Sequence, residues 1–311
     1  MRPLRDSLLL LARSERLKRM VTSLPVSAGV VRGYVAGETV EEAVEAVAGL
    51  AEHGIDATVD RLGEDTVEPE HARATVEAYL ALLARLAERG LAEQAEVSVK
   101  LTALGLSLPG GGHRVALENA RTICRAARNA GTTVTVDMED HTTTDATLAI
   151  LRELRQDFPE TGAVVQSYLR RTEADCRRLA REGSRVRLCK GAYDEPSDVA
   201  FTDPAEVDRS YVRCLRVLFE GGAYPMIATH DPRLVRIAEA LAQRHARRPE
   251  TYEYQMLYGV RPVEQRRLAE AGHRVRVYVP YGEEWYGYLV RRLAERPRNL
   301  TLFVTSLISK K

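Results

Sequence analysis

The sequence predicts a distorted (βα)8 barrel of the TIM type preceded by N-terminal helices. Three observations predict it. Short β-branched or apolar runs alternate with longer helical patterns, eight of each, which implies repeated βαβ units and a parallel sheet. Eight such units in a chain of 311 residues argue for a closed barrel over an open sheet, at a length ordinary for that fold. Glycines stand where turns into strands are needed, at Gly54, Gly131, Gly162, Gly183 and Gly272.

The elements follow in order. Residues 1–55 read as a helical lead-in and 56–311 as the barrel, together one domain. In the lead-in, 5–22 is amphipathic and charged, and Thr39 opens a second helix with Glu41 and Glu42 in its favourable first turn. The expected strands are 57–61, 97–101, 133–137, 163–168, 186–189, 226–229, 252–257 and 275–279. The expected helices are 68–89, 114–130, 144–157, 171–181, 205–220, 232–243, 262–271 and 283–296. Pro109 and the three glycines after it mark a loop following the second strand. No composition break, heptad run or low-complexity segment interrupts the rhythm.

Composition narrows the function. The net charge is +1, from 45 basic and 44 acidic residues, so there is no nucleic-acid footprint. Cys124, Cys176, Cys189 and Cys214 lack any metal-ligand spacing and are too few for a disulfide framework. They read as free thiols in a reducing compartment, and Cys189, inside an apolar strand, reads as a packed thiol. The apolar run 8–12 meets Arg13, Glu15, Arg16 and Lys18 too soon for a signal or a spanning helix. A cytoplasmic protein is expected, with a peripheral contact at the inner membrane face left open.

Barrel chemistry sits at the C-terminal ends of the strands. That rule selects Lys100 on strand two, Asp137 and Glu139 at strand three, and Gln166 on strand four. It also selects Arg187 and Lys190 at strand five, Thr229 and His230 closing strand six, Gln255 on strand seven, and Tyr278 ending strand eight. Any one of these is more often a salt-bridge or loop-fixing residue. Together they imply a polar cavity, because so many charges in one mouth are costly without a ligand. In the last helix Tyr288, Arg291 and Arg292 share a face, and Glu295 is spaced to hold both guanidinium groups. Paired arginines steadied by a carboxylate clamp a planar anion. A solvated, salt-bridged helix face gives the same pattern.

The runs Val97 to Leu101, Val134 to Asp140, Val164 to Tyr168, Arg187 to Tyr193, Ala228 to Asp231 and Tyr288 to Arg292 resemble proline dehydrogenases of the monofunctional bacterial type. They come in family order over about residues 30–304. The resemblance implies a barrel holding FAD non-covalently and oxidising L-proline to Δ1-pyrroline-5-carboxylate, with electrons passed to a quinone. It implies that Arg291, Arg292 and Lys100 hold the proline carboxylate, that Tyr278 and Tyr288 pack on the ring, and that Leu257 walls the pocket. Asp137 would organise the site beside Lys100. Arg187 would face the flavin, and Met138, Gln166, Lys190, Gly191, Ala192, Thr229 and His230 would line it. No Gly-x-Gly-x-x-Gly fingerprint is present, so the cofactor rests on the resemblance alone.

Two departures bear on the roof of the site. Asp194 stands where large bifunctional members carry tryptophan, and the stretch from Tyr278 to Tyr288 is shorter than theirs. The chain ends soon after the last helix, so the product is expected to pass to a separate pyrroline-5-carboxylate dehydrogenase. On a regular strand Arg187 and Lys190 point to opposite faces, so both reach one ligand only if Lys190 already belongs to a loop or a bulge intervenes. Four rival readings stand beside this one. One is a flavoenzyme for another cyclic amino acid such as hydroxyproline. Another is a metal-dependent hydrolase using Asp137, Glu139, His141, His230 and Asp231. The third is a Schiff-base aldolase on Lys100 or Lys190, and the fourth is a catalytically silent sensor of proline or flavin.

Overall fold

A computed structural model describes residues 31–294. The expected helix at 5–22 lies outside the described residues, as does Glu295. The elements are α1 (Val40–Ala51), β1 (Asp56–Arg61), α2 (Pro69–Glu88), β2 (Ala95–Val99), α3 (Gly112–Ala130), β3 (Val134–Val136) and α4 (Thr144–Asp157). They continue as β4 (Gly162–Gln166), α5 (Thr172–Arg181), β5 (Arg185–Cys189), α6 (Pro204–Glu220), β6 (Tyr224–Ala228) and α7 (Pro232–Arg244). A 3-10 turn (Pro249–Thr251) leads into β7 (Glu253–Leu257), α8 (Pro262–Glu270), β8 (Val275–Tyr281) and α9 (Trp285–Ala294).

The eight strands pair in sequence order and in parallel, and β8 closes onto β1 with Thr58 opposite Tyr278. This is the expected (βα)8 barrel. Local chemistry sets the helix starts. Thr39 and Glu42 form a capping box on α1, with Thr39 Oγ1 accepting from Glu42 N at 3.2 Å and the Glu42 carboxylate accepting from Thr39 N at 3.1 Å. Such a cap is worth about 1 kcal/mol. Asp203 and Asp231 cap α6 and α7, each followed by proline in the first helical turn.

Alternation along the strands builds two different fillings. One face of β1, β2 and β8 carries Ala57, Val59, Ala95, Val97, Val275, Val277 and Val279, all buried in the layer between sheet and helices. The other face turns Thr58, Asp60, Glu96, Ser98, Arg276 and Tyr278 into the barrel, where branched apolar residues are the usual filling. Here the interior is ionic. Its lower tier pairs Glu96 with Arg185 at 2.7 Å and Glu253 with Arg276 at 2.8 Å. Alternating signs are what make so many buried charges tolerable.

Several boundaries differ from expectation. Gly162 opens β4 and is not a turn before it. A side chain there would run into Thr135 and Met226, so the crowded interior demands glycine. β2 stops at Val99, which puts Lys100 in the turn that follows. β3 stops at Val136, although Asp137 N still donates to Val99 O at 2.9 Å and extends the ladder. Tyr278 lies in mid-strand, because β8 runs on to Tyr281. Lys190 follows the last residue of β5 and belongs to the loop, which removes the parity conflict with Arg187. Among the described residues no helix is long and apolar enough to cross a membrane.

Candidate active site

At the C-terminal mouth Lys100 stands between two carboxylates. Its Nζ donates to both Asp60 oxygens at 2.8 Å and to Tyr278 Oη at 3.3 Å, and lies 3.5 Å from Asp137 Oδ2. Tyr278 Oη passes the chain on, donating to Asp137 Oδ2 at 2.8 Å. Two acids sharing one ammonium separate in acidity. Burial drives Asp60 up to about 6 against the pull of Lys100. Burial also works upward on Asp137, but Lys100, Arg187 and the hydroxyls of Ser98 and Tyr278 hold it below the usual carboxylate range. Lys100 itself is pushed up: burial opposes its charge, and the two carboxylates outweigh burial. The shifts of Asp60 and Lys100 pull opposite ways on their ion pair. The Lys100 direction governs, because its ammonium touches both Asp60 oxygens.

Arg187 is held from every side. Its Nε donates to Gln255 Oε1 at 2.6 Å. Nη1 donates to Asp137 Oδ1 at 2.7 Å and Ser98 Oγ at 3.0 Å, and Nη2 to Glu96 Oε1 at 3.2 Å and Thr58 Oγ1 at 3.3 Å. A guanidinium has five N–H donors, and all five are engaged. The Tyr278 ring lies over it at 5.3 Å. Gln255 has one usable orientation: its oxygen accepts from Arg187 while its Nε2 donates to Glu253 Oε1 at 2.6 Å. The mouth is thereby wired to the ionic tier below.

The last helix brings its arginines to the roof. Arg291 Nη2 pairs with Glu64 Oε1 at 2.8 Å, so a carboxylate from the loop after β1 meets the guanidinium. Arg292 lies over the Tyr288 ring at 5.5 Å, as their spacing on one face allows. Trp285 Nε1 donates to Glu38 Oε1 at 2.8 Å and ties α9 to the lead-in.

The other side of the mouth is built by the ends of β3 to β6. Met138 is buried there, and Gln166 Nε2 donates to Glu139 O at 2.8 Å. Glu139 accepts from Thr102 N at 3.1 Å and from the Thr102 hydroxyl, yet burial outweighs these donors and raises it to about 7. Lys190 is half-buried, 2.6 Å from Asp208 and 3.5 Å from Asp231. Gly191 turns at φ +109, which favours glycine, and Ala192 follows it half-buried. Thr229 Oγ1 accepts from Asp231 N at 3.1 Å. His230 Nε2 accepts from Leu257 N at 2.9 Å, so any proton of the neutral ring sits on Nδ1. Cys189 is half-buried, and burial pushes its thiol to about 11.

The residues of the rival readings are employed otherwise. His230 accepts from the backbone, His141 is bound to Glu195, and Asp231 caps α7. Among the described residues no group of three or more His, Cys, Asp or Glu forms a metal-binding set. Lys100 is held as a charged ammonium, the wrong state for a Schiff-base nucleophile. Sequence reasoning passed over Asp60, although it lies one residue before the end of β1, where the rule that selected the others applies. It also passed over Glu64, Glu195 and Tyr193. The first two lie in loops without periodicity. Tyr193 is half-buried under the roof, its phenol pushed up by burial and acted on by the charges of Glu64, Glu139 and Arg291.

A closed barrel with a charged, arginine-roofed mouth is the architecture of a (βα)8-barrel enzyme. The sequence matches the proline dehydrogenase family over residues 43–302. Proline dehydrogenase 1 of Bacillus subtilis (strain 168) is 36% identical over 307 residues, 99% of this chain and 100% of that protein. The proline dehydrogenase of Deinococcus radiodurans is 38% identical over 277 residues, 88% of this chain and 89% of that protein. The crystal structure of proline utilization A from Bdellovibrio bacteriovorus, inactivated by N-propargylglycine, superposes with a TM-score of 0.82 at 26% identity, over 94% of this chain and 36% of that one. The chain belongs to the proline dehydrogenase family, and is an enzyme of the oxidoreductase class.

Proposed function

We propose that this enzyme oxidises L-proline to Δ1-pyrroline-5-carboxylate using FAD, passes the electrons to a quinone, and yields its product to a separate pyrroline-5-carboxylate dehydrogenase. The observation that carries this reading is the division of the mouth into two arcs. Asp60, Lys100, Leu257 and Tyr278 lie on or directly after β1, β2, β7 and β8. Met138, Gln166, Lys190, Gly191, Ala192, Thr229 and His230 come from β3 to β6. The arcs meet where Tyr278 donates to Asp137 at 2.8 Å and where Arg187 donates to Gln255 of β7 at 2.6 Å.

The second arc fits a flavin in its donor set. Met138 offers an apolar wall, and Gln166, Thr229 and His230 offer polar edges. The half-buried ammonium of Lys190 and the turn at Gly191 suit an anionic, close-lying group. FAD bound there would accept the hydride leaving the ring carbon next to nitrogen. Arg187 would act on it by charge, because its five donors are already engaged.

In the first arc, Arg291 and Arg292 grip the substrate carboxylate and fix the ring over the cofactor, a proximity effect. Tyr278 and Tyr288 pack on the pyrrolidine, and Leu257 closes the wall. Lys100 has two carboxylates already, so its part is to hold Asp137 ionised and Tyr278 in register. The substrate amine must be neutral for its carbon to lose hydride. Loss of that proton to water before the mouth closes needs no base from this chain. The C–H bond then breaks with its electron pair leaving as hydride, the nitrogen lone pair forms the C=N bond, and the proton remaining on nitrogen is lost to water to give the imine.

The test is to purify the protein, record its visible spectrum and add L-proline without air. A flavin spectrum that bleaches is expected. A flavin that stays oxidised moves the substrate to another amine, and a protein still colourless after incubation with FAD overturns the reading.

A further inference from the structure

The loop between β5 and α6 carries Lys190, Gly191, Ala192 and Tyr193, and it is pinned at both ends to the segment after β4. At its start, Ser167 N donates to Cys189 O at 2.8 Å and Tyr168 N to Lys190 O at 2.9 Å. At its end, Phe201 N donates to Tyr168 O at 2.7 Å, Arg170 N to Val199 O at 2.9 Å, and Leu169 bridges Ala200. The Gly191 backbone lies against the Tyr168 ring so closely that a Cβ would overlap it. Tyr168 is thus the post on which both ends of the loop are fastened.

The middle of the loop has no such ladder, and there Glu195 does something unusual. Its neighbours Asp194 and Pro196 are exposed, yet its own side chain is 2% exposed. A surface-loop carboxylate normally turns to water, and burying one is tolerable only when it is fully hydrogen-bonded. Glu195 meets that condition with donors from two other loops. Oε1 accepts from Tyr168 Oη at 3.1 Å and from His141 N at 2.8 Å, and Oε2 contacts His141 Nδ1. His141 lies two residues beyond Glu139, in the loop after β3. One carboxylate therefore joins the loops that follow β3, β4 and β5, just outside Tyr193 and the lining residues.

We propose that Glu195 is a positioning residue, a clasp that keeps Lys190 to Tyr193 folded over the barrel mouth. It touches none of Lys100, Asp137, Arg187, Arg291 or Arg292. The consequence for catalysis rests on the function proposed above; the clasp itself does not.

The test compares Glu195→Ala with Glu195→Gln in the purified protein as isolated. Limited trypsin digestion, mapped by mass spectrometry, reads cleavage after Lys190. Flavin fluorescence released on dilution reads loss of FAD, and steady-state kinetics read proline turnover. Losing charge-assisted bonds of this kind shifts a local opening equilibrium by roughly tenfold or more. Glu195→Ala is expected to speed cleavage after Lys190 and FAD release by roughly that factor, with the rise in KM for proline exceeding the fall in kcat. Glu195→Gln is expected to restore most of each, because its amide oxygen still accepts from Tyr168 and His141. If Glu195→Ala does not fold, the double variant His141→Ala, Tyr168→Phe removes the donors instead and is expected to show the same cleavage. Unchanged cleavage in Glu195→Ala, or equal damage in Glu195→Gln, overturns the clasp. Cleavage needs neither FAD nor proline, so a protein that proves to hold no flavin refutes the proposed function and still tests the clasp.

Discussion

Glu139 shows how a single side chain records its surroundings. Burial lifts its carboxyl from 4.5 to about 7. At about 1.4 kcal/mol per unit this is on the order of 3 kcal/mol. The fold retains a proton that the unfolded chain gives up above its ordinary value. Stability from this group is therefore fully present below about pH 4.5, falls as pH rises, and is gone above about pH 7. Denaturant unfolding at intervals from pH 4.5 to 8 should show wild type losing on the order of 3 kcal/mol relative to Glu139→Gln; parallel curves would refute the shift. Arg291 answers a different question at the same scale. Arg291→Met should leave flavin content unchanged and raise KM for proline by roughly tenfold to a hundredfold, as expected for a lost charged contact. Loss of flavin with intact KM would assign Arg291 to the other arc.

At the scale of elements, glycine means opposite things in β4 and in α1. Gly162 faces the crowded interior, where a side chain would meet Thr135 and Met226. Gly162→Val should cost about 1–3 kcal/mol, seen as a melting temperature lower by roughly 2–8 °C. Gly49 lies exposed on α1 with nothing within 4 Å of a Cβ position. Gly49→Ala should therefore raise stability by about 0.5–1 kcal/mol, and if the two variants moved the melting temperature alike, the packing account would fail. The elements were largely legible in the sequence, because an apolar run bounded by glycine reads as a strand whatever surrounds it. The end residues Lys100, Asp137, Gln166, Arg187, Thr229 and His230 were legible for the same reason. What alternation hides is which face of a strand is inside. Glu96, Arg185, Glu253 and Arg276 sit at polar positions that would ordinarily face water, and only closure of the sheet turns them inward. Glu64 and Glu195 were illegible for another reason: Glu64 finds Arg291 across 227 residues of chain, Glu195 finds Tyr168 and His141 across 27 and 54, and neither lies on a periodic element.

The whole molecule is a sheet packed against helices by alkane and filled by charge. The outer layer supplies the apolar burial that drives folding. The lumen carries Asp60, Glu96, Asp137 and Glu253 against Lys100, Arg185, Arg187 and Arg276, four of each sign, all within one connected set of ion pairs and hydrogen bonds. This filling has a consequence for heat. Hydrating apolar surface raises the heat capacity of unfolding and hydrating polar surface lowers it. A barrel that trades an alkane lumen for a polar one should unfold with less than the usual heat-capacity gain of about 12–15 cal/mol/K per residue, which calorimetry would read directly. The cost of drying paired charges also falls on warming. The stability curve of this enzyme should accordingly be broad and shallow, with its resistance to cold and to heat both drawn from the ions at its centre.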